Sequence, residues 1–182
     1  LAVGTDPHDL FAPAATGSVL RLAPNRQRLV APNPSPLTGP GTNTYVVGSG
    51  PPYLVIDPGP DDETHVDRIL TAAKGRISHV LCTHSHPDHS PGAAALKART
   101  QAVVLGQPAP HDEHQDDSYR PDRTLDDGDF VEVSGAGVRA LHTPGHASNH
   151  VCLLLEPEGW LLTGDHLMNG STVVILPPDG SM

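Results

Sequence analysis

The stretch Thr83-His84-Ser85-His86-Pro87-Asp88-His89 places four side chains of metal-ligand type within six positions. A β-branched and apolar run at residues 77–82 comes directly before it, and this run predicts a buried strand. Ser90 and Pro91 follow, and these residue types can cap and begin a helix, which we expect to continue to Arg99. The stretch is therefore predicted to lie on a connection from a strand to a helix.

The spacing within this stretch fits two adjacent metal ions. In an extended segment residues i and i+2 point to the same side, so His84 and His86 can bind one ion. The bend at Pro87 then redirects Asp88 and His89 toward a second ion. Zn²⁺ accepts imidazole nitrogen and carboxylate oxygen and keeps a position for water in catalytic sites, although Mn²⁺ or iron can occupy a similar ligand set. We expect two zinc ions per full-length chain.

Two later turns each place a potential ligand after a predicted strand. They are His142-Thr143-Pro144-Gly145-His146 and Thr163-Gly164-Asp165-His166. His146 can complete a first site of three histidines. The carboxylate of Asp165 can bridge the two ions, with one oxygen toward each, at a metal separation of ~3.5 to 4 Å. His166 is ambiguous: it is either a turn residue, which is the favoured interpretation, or a stand-in for a second-site ligand.

The chain holds 12 histidines against 11 lysines and arginines, so the histidines outside the cluster need separate interpretations. His142 and His150 flank His146, and they either orient it or pack beside it. The remaining five lie in polar or helical contexts and are expected to be solvated: His8, His65, His79, His111 and His114.

Short apolar runs separated by turn residues predict a mixed α/β domain over residues 1–182. Helices are expected at residues 62–73 and 91–99, and the proline-rich segment 32–41 is expected to be a loop. A further surface loop is expected over the polar, acidic residues 107–123. Strands are predicted at residues 19–22, 29–31, 44–47, 53–56, 77–82, 103–105, 130–133, 138–141, 149–155, 160–162 and 173–176.

Composition narrows the classes of function and the location. The formal net charge of −10 argues against broad electrostatic capture of nucleic acid or of an anionic membrane. Cys82 and Cys152 lie in apolar runs and are interpreted as core residues rather than a disulfide pair. Residues 1–13 carry no basic start followed by an apolar stretch, so a soluble, cytoplasmic protein is expected.

With these residues in place, the chain resembles the metallo-β-lactamase superfamily, whose marker is H-x-H-x-D-H. The resemblance implies a four-layered αβ/βα sandwich with the metal ions at one edge. Within the superfamily, the chain is most similar to the beta-lactamase-like protein 2 group, through residues 33–36, 41–45, 57–59, 86–93 and 143–150.

The resemblance implies a ligand set and one missing member. It assigns His84, His86 and His146 to the first site, Asp88 and His89 to the second, and Asp165 to the bridge. The superfamily also implies a later second-site histidine, and residues 167–182 contain none. We therefore expect a fragment that lacks the C-terminal part of the fold and a small helical domain. Apolar strand faces near residues 173–176 would then be uncovered, and a homodimer is one way to cover them.

The reaction expected from the residues is hydrolysis by a metal-bridged hydroxide, with Asp88 as the proton carrier. This fold hosts several substrates, so the choice among them rests on the resemblance. The resembled group favours a phosphodiesterase or endoribonuclease acting on single-stranded RNA, although the chain offers no basic or aromatic strip for it. The alternative is a small-molecule thioester hydrolase similar to glyoxalase II. A non-catalytic metal-binding module is the hypothesis from a different class.

Overall fold

The computed structural model describes residues 15–182. The polar N-terminal segment 1–13 and His8 therefore lie outside the described residues, and the expectations for them stay predictions. Among the described residues, no helix is both long enough and apolar enough to cross a membrane.

The first sheet has seven strands that lie side by side in chain order. Neighbouring strands are antiparallel from β1 to β4 and parallel from β4 to β7. The central strands are apolar along most of their length, as expected for a sheet that is covered on both faces. The seven strands are β1 (Val19–Ala23), β2 (Arg26–Val30), β3 (Asn43–Val47), β4 (Tyr53–Ile56), β5 (Ile77–Leu81), β6 (Val103–Gly106) and β7 (Arg123–Thr124).

Two helices pack on one face of this sheet: α1 (Glu63–Ala72) and α2 (Gly92–Thr100). Helix α1 begins after Asp62, whose side chain accepts a hydrogen bond from the His65 backbone N–H at 2.7 Å. Ile69 of α1 and Leu96 of α2 are fully buried in the core between the helices and the sheet. These contacts fix the chain on either side of the ligand stretch.

The second sheet covers the other face of the first. It is antiparallel, with the strand order β11-β10-β9-β8. Leu54, Leu81 and Leu153 are fully buried in the core that joins the two sheets. Residues 15–182 thus supply a helix layer and two sheet layers of the expected sandwich. The four strands are β8 (Phe130–Val133), β9 (Ala136–His142), β10 (Val151–Glu156) and β11 (Trp160–Leu162).

The topology brings the candidate ligands to one edge. Parallel strands β4 and β5 end at the same edge of the first sheet, where the residues after each strand meet. In the second sheet, Val151 at the start of β10 pairs with His142 at the end of β9, and β11 ends beside them. The turns after β5, β9 and β11 therefore converge.

Two of the sequence-based predictions, a strand at residues 173–176 and a helix cap at Ser90, are wrong. Residues 173–176 form no strand, because the Val174 carbonyl accepts a hydrogen bond from the His146 ring and the Leu176 carbonyl accepts one from the Gly180 N–H. Ser90 does not cap α2. Its hydroxyl donates instead to Asp116 Oδ2 at 2.7 Å, and the helix begins after Pro91 without a side-chain cap.

His65 is buried rather than solvated, which contradicts the sequence-based expectation. The Thr44 hydroxyl donates to the Asp57 carbonyl at 2.6 Å, so it accepts from His65 Nε2–H at 2.8 Å. His65 Nδ1 is left buried with no hydrogen-bond partner among the described residues. Burial therefore lowers the pKa of His65 to about 4.

The pKa of His65 predicts a loss of stability in acid. Its folded pKa of about 4 lies below the value of the unfolded chain, so the unfolded chain binds the proton first as pH falls. Between pH 7 and pH 4 we expect His65 to remove roughly 3 kcal/mol of stability from the metal-free protein. Denaturant unfolding of the parent and of His65→Gln at both pH values measures the loss, because only the parent should lose this part of its free energy of unfolding.

The exposed His114 supplies a matched control for this prediction. His114→Gln should keep the pH dependence of the parent. Parallel pH profiles for the parent and His65→Gln would contradict the assignment of the acid sensitivity to His65.

Candidate metal centre

Three histidines converge on one point at the edge of the sheets. His84 and His86 lie on the turn after β5, and His146 lies on the turn between β9 and β10. One ring nitrogen of each lies within 4.8 Å of the others, and His146 Nε2 is 2.9 Å from His86 Nδ1. The structure therefore brings together the three residues that the sequence assigned to a first metal ion.

A second group of ligand atoms shares His84 with the first. It joins one nitrogen of His84, one nitrogen of His89 and one oxygen of Asp165 within 4.8 Å. His89 Nε2 is 3.4 Å from Asp88 Oδ2 and 3.4 Å from Asp165 Oδ1. The other oxygen of Asp165 is 3.7 Å from His146 Nε2. Asp165 thus faces both groups, which is the placement a bridging carboxylate requires.

The donor atoms at His84 fit a metal ion. His84 is 1% exposed, and its Nε2 has no hydrogen-bond partner among the described residues. A buried nitrogen without a partner is unfavourable, and a cation would supply one. Burial lowers the pKa of His84 well below its ordinary value, and burial also lowers the pKa of His86 to about 4. Both rings are therefore neutral at pH 7, as metal ligation requires.

Hydrogen bonds fix which nitrogen of His84 carries the proton. The Thr83 hydroxyl donates to Asp57 Oδ2 at 2.9 Å, so it accepts from His84 Nδ1–H at 3.0 Å. His84 Nε2 is then unprotonated and faces the cluster. A hydrogen bond that holds the other ring nitrogen is the usual support of a metal-binding histidine.

The same carboxylate orients His89. His89 Nδ1 donates to Asp57 Oδ2 at 3.1 Å, which directs Nε2 toward Asp88 and Asp165. Burial alone would lower the pKa of His89, but the carboxylates of Asp88 and Asp57 raise it well above its ordinary value. Asp57, Asp88 and Asp165 thus surround a position that requires positive charge. A divalent cation satisfies that requirement.

Thr42 also holds Asp88. The Thr42 hydroxyl donates to Asp88 Oδ2 at 3.2 Å, and Thr42 makes two hydrogen bonds with the Asn33 side chain at 3.0 Å. Burial raises the pKa of Asp88, but the adjacent His89 and these hydrogen bonds outweigh it, so the pKa lies below the ordinary range. Asp88 is therefore ionised.

The other histidines of the two turns do not join the ligand groups of the described residues. His150 is buried, and its Nδ1 bonds the Thr143 hydroxyl at 3.0 Å, so it supports the turn between β9 and β10. His142 Nε2 bonds the Ser148 carbonyl within the same turn. The His166 ring lies at a tilt to the His150 ring, with centroids 5.7 Å apart, and its role stays a prediction.

Three supporting groups were missed from the sequence. Asp57 and Thr83 act on the ligand rings of both groups, and the Val174 carbonyl accepts from His146 Nδ1 at 2.5 Å. The signal for Asp57 was its place directly after an apolar strand, in the turn Asp57-Pro58-Gly59. It also adopts the left-handed region, with φ of 49°, an uncommon conformation that is enriched at functional sites.

The chain resembles known proteins in sequence and in fold. A family model described as "Metallo-beta-lactamase superfamily" matches residues 37–182. The chain is 34% identical over 160 residues to an atrochrysone carboxyl ACP thioesterase of Cryptosporiopsis sp., covering 86% of this chain and 48% of that protein. It is 37% identical over 164 residues to a lactamase-like protein of Penicillium aethiopicum, covering 88% and 52% respectively.

Among solved structures, a beta-lactamase domain protein from Burkholderia ambifaria has the same fold. The TM-score is 0.71 at 22% identity, and the match covers 92% of this chain and 62% of that one. The chain spans about half the length of the curated relatives it matches.

Proposed function

The chain belongs to the metallo-β-lactamase superfamily, and on that premise we propose that it carries the two-metal centre of a hydrolase that cleaves thioesters. One observation supports the two-metal centre above all. The two groups of ligand atoms share His84, and the carboxylate of Asp165 faces both of them. Two ions held by these adjacent groups would act together on one substrate group.

The metal ions and the residues around them have different roles in the proposed hydrolysis. When bound, the two ions supply a water-derived nucleophile at neutral pH and positive charge for the oxyanion that forms. Asp88 lies beside this position as an ionised carboxylate, and we assign to it the role of proton carrier. Thr42 holds Asp88 in place through its hydroxyl. We propose zinc as the metal, because Zn²⁺ binds imidazole nitrogen and carboxylate oxygen.

Neither cysteine competes as the nucleophile. Cys82 and Cys152 are buried and unbonded to each other, which confirms their interpretation as core residues. Burial raises the pKa of both thiols, so little thiolate forms near neutral pH. Water activated at the metal centre is therefore the attacking group in the proposal.

We propose a thioester as the substrate, whereas the sequence favoured a phosphodiester and kept the thioester as the alternative. A relative that matches 86% of this chain is named a thioesterase, and its name specifies an acyl carrier protein thioester. The net charge of −10 opposes an RNA substrate, because binding to the phosphate backbone depends on lysine and arginine. Similarity to the beta-lactamase-like protein 2 group stays a prediction, as does the single-stranded RNA cleavage that it implied.

Four substrates separate the candidate functions. The chain is loaded with zinc and incubated with a glutathione thioester, single-stranded RNA, a chromogenic lactam and bis-p-nitrophenyl phosphate. We expect thioester cleavage that a chelator abolishes. Cleavage of RNA or of the phosphate diester without thioester cleavage would overturn the proposed substrate class. Stoichiometric zinc with no turnover of any of the four would support a metal-binding module instead.

A further inference from the structure

Residues 174–181, which we call the clamp segment, lie against the turn that carries His146. The Val174 carbonyl accepts from His146 Nδ1 at 2.5 Å, and the Ser181 N–H donates to the Gly145 carbonyl at 2.9 Å. The segment therefore holds this turn through two separate bonds, one of them to a candidate metal ligand. Because Nδ1 carries the proton in this arrangement, His146 Nε2 is unprotonated, and it lies 2.9 Å from His86 Nδ1, where the first metal ion would bind.

Asp179 is the charged residue of the clamp segment, and it connects two loops. Its Oδ2 accepts from the Ser148 N–H at 2.8 Å and from Gln115 Nε2 at 3.4 Å. Ser148 lies two residues after His146 on the same turn. Gln115 lies on the loop between β6 and β7.

Gln115 connects Asp179 to the turn that holds His84 and His86. Its Oε1 accepts from the Ser85 hydroxyl at 2.5 Å, and Ser85 is the residue between His84 and His86. Asn149 Nδ2 donates to the same hydroxyl at 2.7 Å. A continuous path of hydrogen bonds thus runs from Asp179 to the ligands on both turns.

The path is buried along most of its length. Gln115 is 6% exposed, Asn149 5% and Ser85 fully buried. A buried polar group that loses its partner is unfavourable, so each member of such a path restricts the position of the next. A change at Asp179 is therefore expected to reach ligands that it does not touch.

We propose that Asp179 is a positioning residue for the first metal ion, acting on the His146 turn through Ser148 and on the His84 turn through Gln115 and Ser85. The inference rests on the metal centre of the proposed function. Asp179 contacts no ligand itself, and it holds the two turns at the separation that one ion requires. The second group shares His84 with the first, but its other members, His89 and Asp165, lie outside this path, and Asp57 holds His89 separately.

Replacing Asp179 with alanine should weaken the first metal position selectively. Loss of a supporting residue behind a metal ligand lowers metal affinity roughly 10- to 100-fold. Asp179→Asn should restore most of that affinity, because its amide oxygen can still accept from the Ser148 N–H. Asp117→Ala is the matched control, since it removes the same charge from an exposed residue two positions after Gln115.

A second variant perturbs the clamp segment without removing a charge. A Cβ on Gly180 would lie 2.7 Å from the Leu176 backbone nitrogen, so Gly180→Ala must open the turn that places Asp179. We expect this variant to resemble Asp179→Ala in metal affinity. Gly50→Ala is its control, because a Cβ there would have no neighbour within 4 Å.

Competition titration with zinc measures the affinities, and nitrogen-15 NMR of His146 in the metal-free protein identifies its protonated nitrogen. We expect Asp179→Ala and Gly180→Ala to lose first-site affinity and the Nδ1–H signal of His146, with a melting temperature close to the parent. Unchanged first-site affinity, or an equal loss at both positions, would overturn the role of Asp179. Absence of metal binding in the parent itself would instead refute the proposed function.

Discussion

Replacing His84 with alanine is expected to remove metal binding and hydrolysis together. His84 supplies one of the three nitrogens of the first position and lies within 4.8 Å of the second group, so its loss leaves the first ion with two ligands. The metal-free protein should keep its fold, because the turn after β5 lies at the edge of the two buried cores. In the metal-free protein, the buried His84 Nε2 has no hydrogen-bond partner among the described residues and is destabilising, so its removal should not lower the free energy of unfolding on that account.

We expect zinc affinity to fall roughly 100-fold or more and hydrolysis to fall about 10³-fold, since the ions provide several kcal/mol of transition-state stabilisation. Metal analysis, circular dichroism and the thioester assay measure the three properties side by side. His79→Ala is the control, because His79 lies on β5 and its ring bonds the adjacent Ser78 hydroxyl rather than a ligand. Stoichiometric zinc in His84→Ala would refute its assignment as a ligand.

Asp57→Asn should weaken both metal positions through the tautomers of two histidines. The carboxylate accepts from the Thr83 backbone N–H, the Thr83 hydroxyl and His89 Nδ1–H. Asparagine tolerates the left-handed conformation of this residue, so the backbone should not change. Its NH₂ group, however, would face two donors.

Both partners of that NH₂ group can respond only by becoming acceptors. The Thr83 hydroxyl would then donate to His84 Nδ1, which drives the His84 proton to Nε2, the nitrogen that faces the metal. His89 would move its proton to Nε2 for the same reason. Each tautomer is wrong for ligation, as in other sites where an amide replaces the carboxylate behind a histidine. We expect roughly 10- to 100-fold weaker binding at each position.

Thr83→Val separates the effect of Asp57 on His84 from its effect on His89. It removes the hydroxyl behind His84 and leaves the bond from His89 to Asp57, so only the His84 ring should lose its fixed proton. Nitrogen-15 NMR of the two rings and zinc titration provide the measurements. Equal zinc affinity in Asp57→Asn and the parent would show that the carboxylate has no influence on the metal positions.

The ligand stretch was predictable because its information is local. Four ligand types within six positions, between an apolar strand and a helix, seldom occur for purely structural reasons, and the two later turns have the same character. The same locality explains the strands: ten of the eleven predicted segments overlap an observed strand, although the one at residues 29–31 meets only the end of β2, and β7 was not predicted. The ligand roles themselves stay predictions until metal is measured.

Asp57 and His65 escaped prediction because their roles arise from contacts across the fold. Asp57 bonds partners 26 and 32 positions away, and locally it resembles an ordinary turn residue. His65 follows three acidic residues and a threonine, which suggested solvent. Its spacing of four residues from the buried Ile69 did place it on the inner face of α1, and that helical period was a usable signal.

The segment 173–176 shows the limit of apolar patterning. Its run of Val173, Val174, Ile175 and Leu176 has high strand propensity, yet two prolines follow and its carbonyls bond a histidine ring and a turn. Strand formation requires a neighbouring strand edge with free partners, and sequence alone does not reveal whether one is present.

The strand order of the first sheet has a consequence for folding kinetics. Each of its seven strands pairs with strands adjacent in the chain, so the sheet can grow one strand at a time in chain order. His84, His86 and His89 reach their places with that growth. His146 and Asp165 arrive only when the second sheet docks, so a nascent chain captures its ions late, and the rate of tight zinc uptake measures the docking of the two sheets.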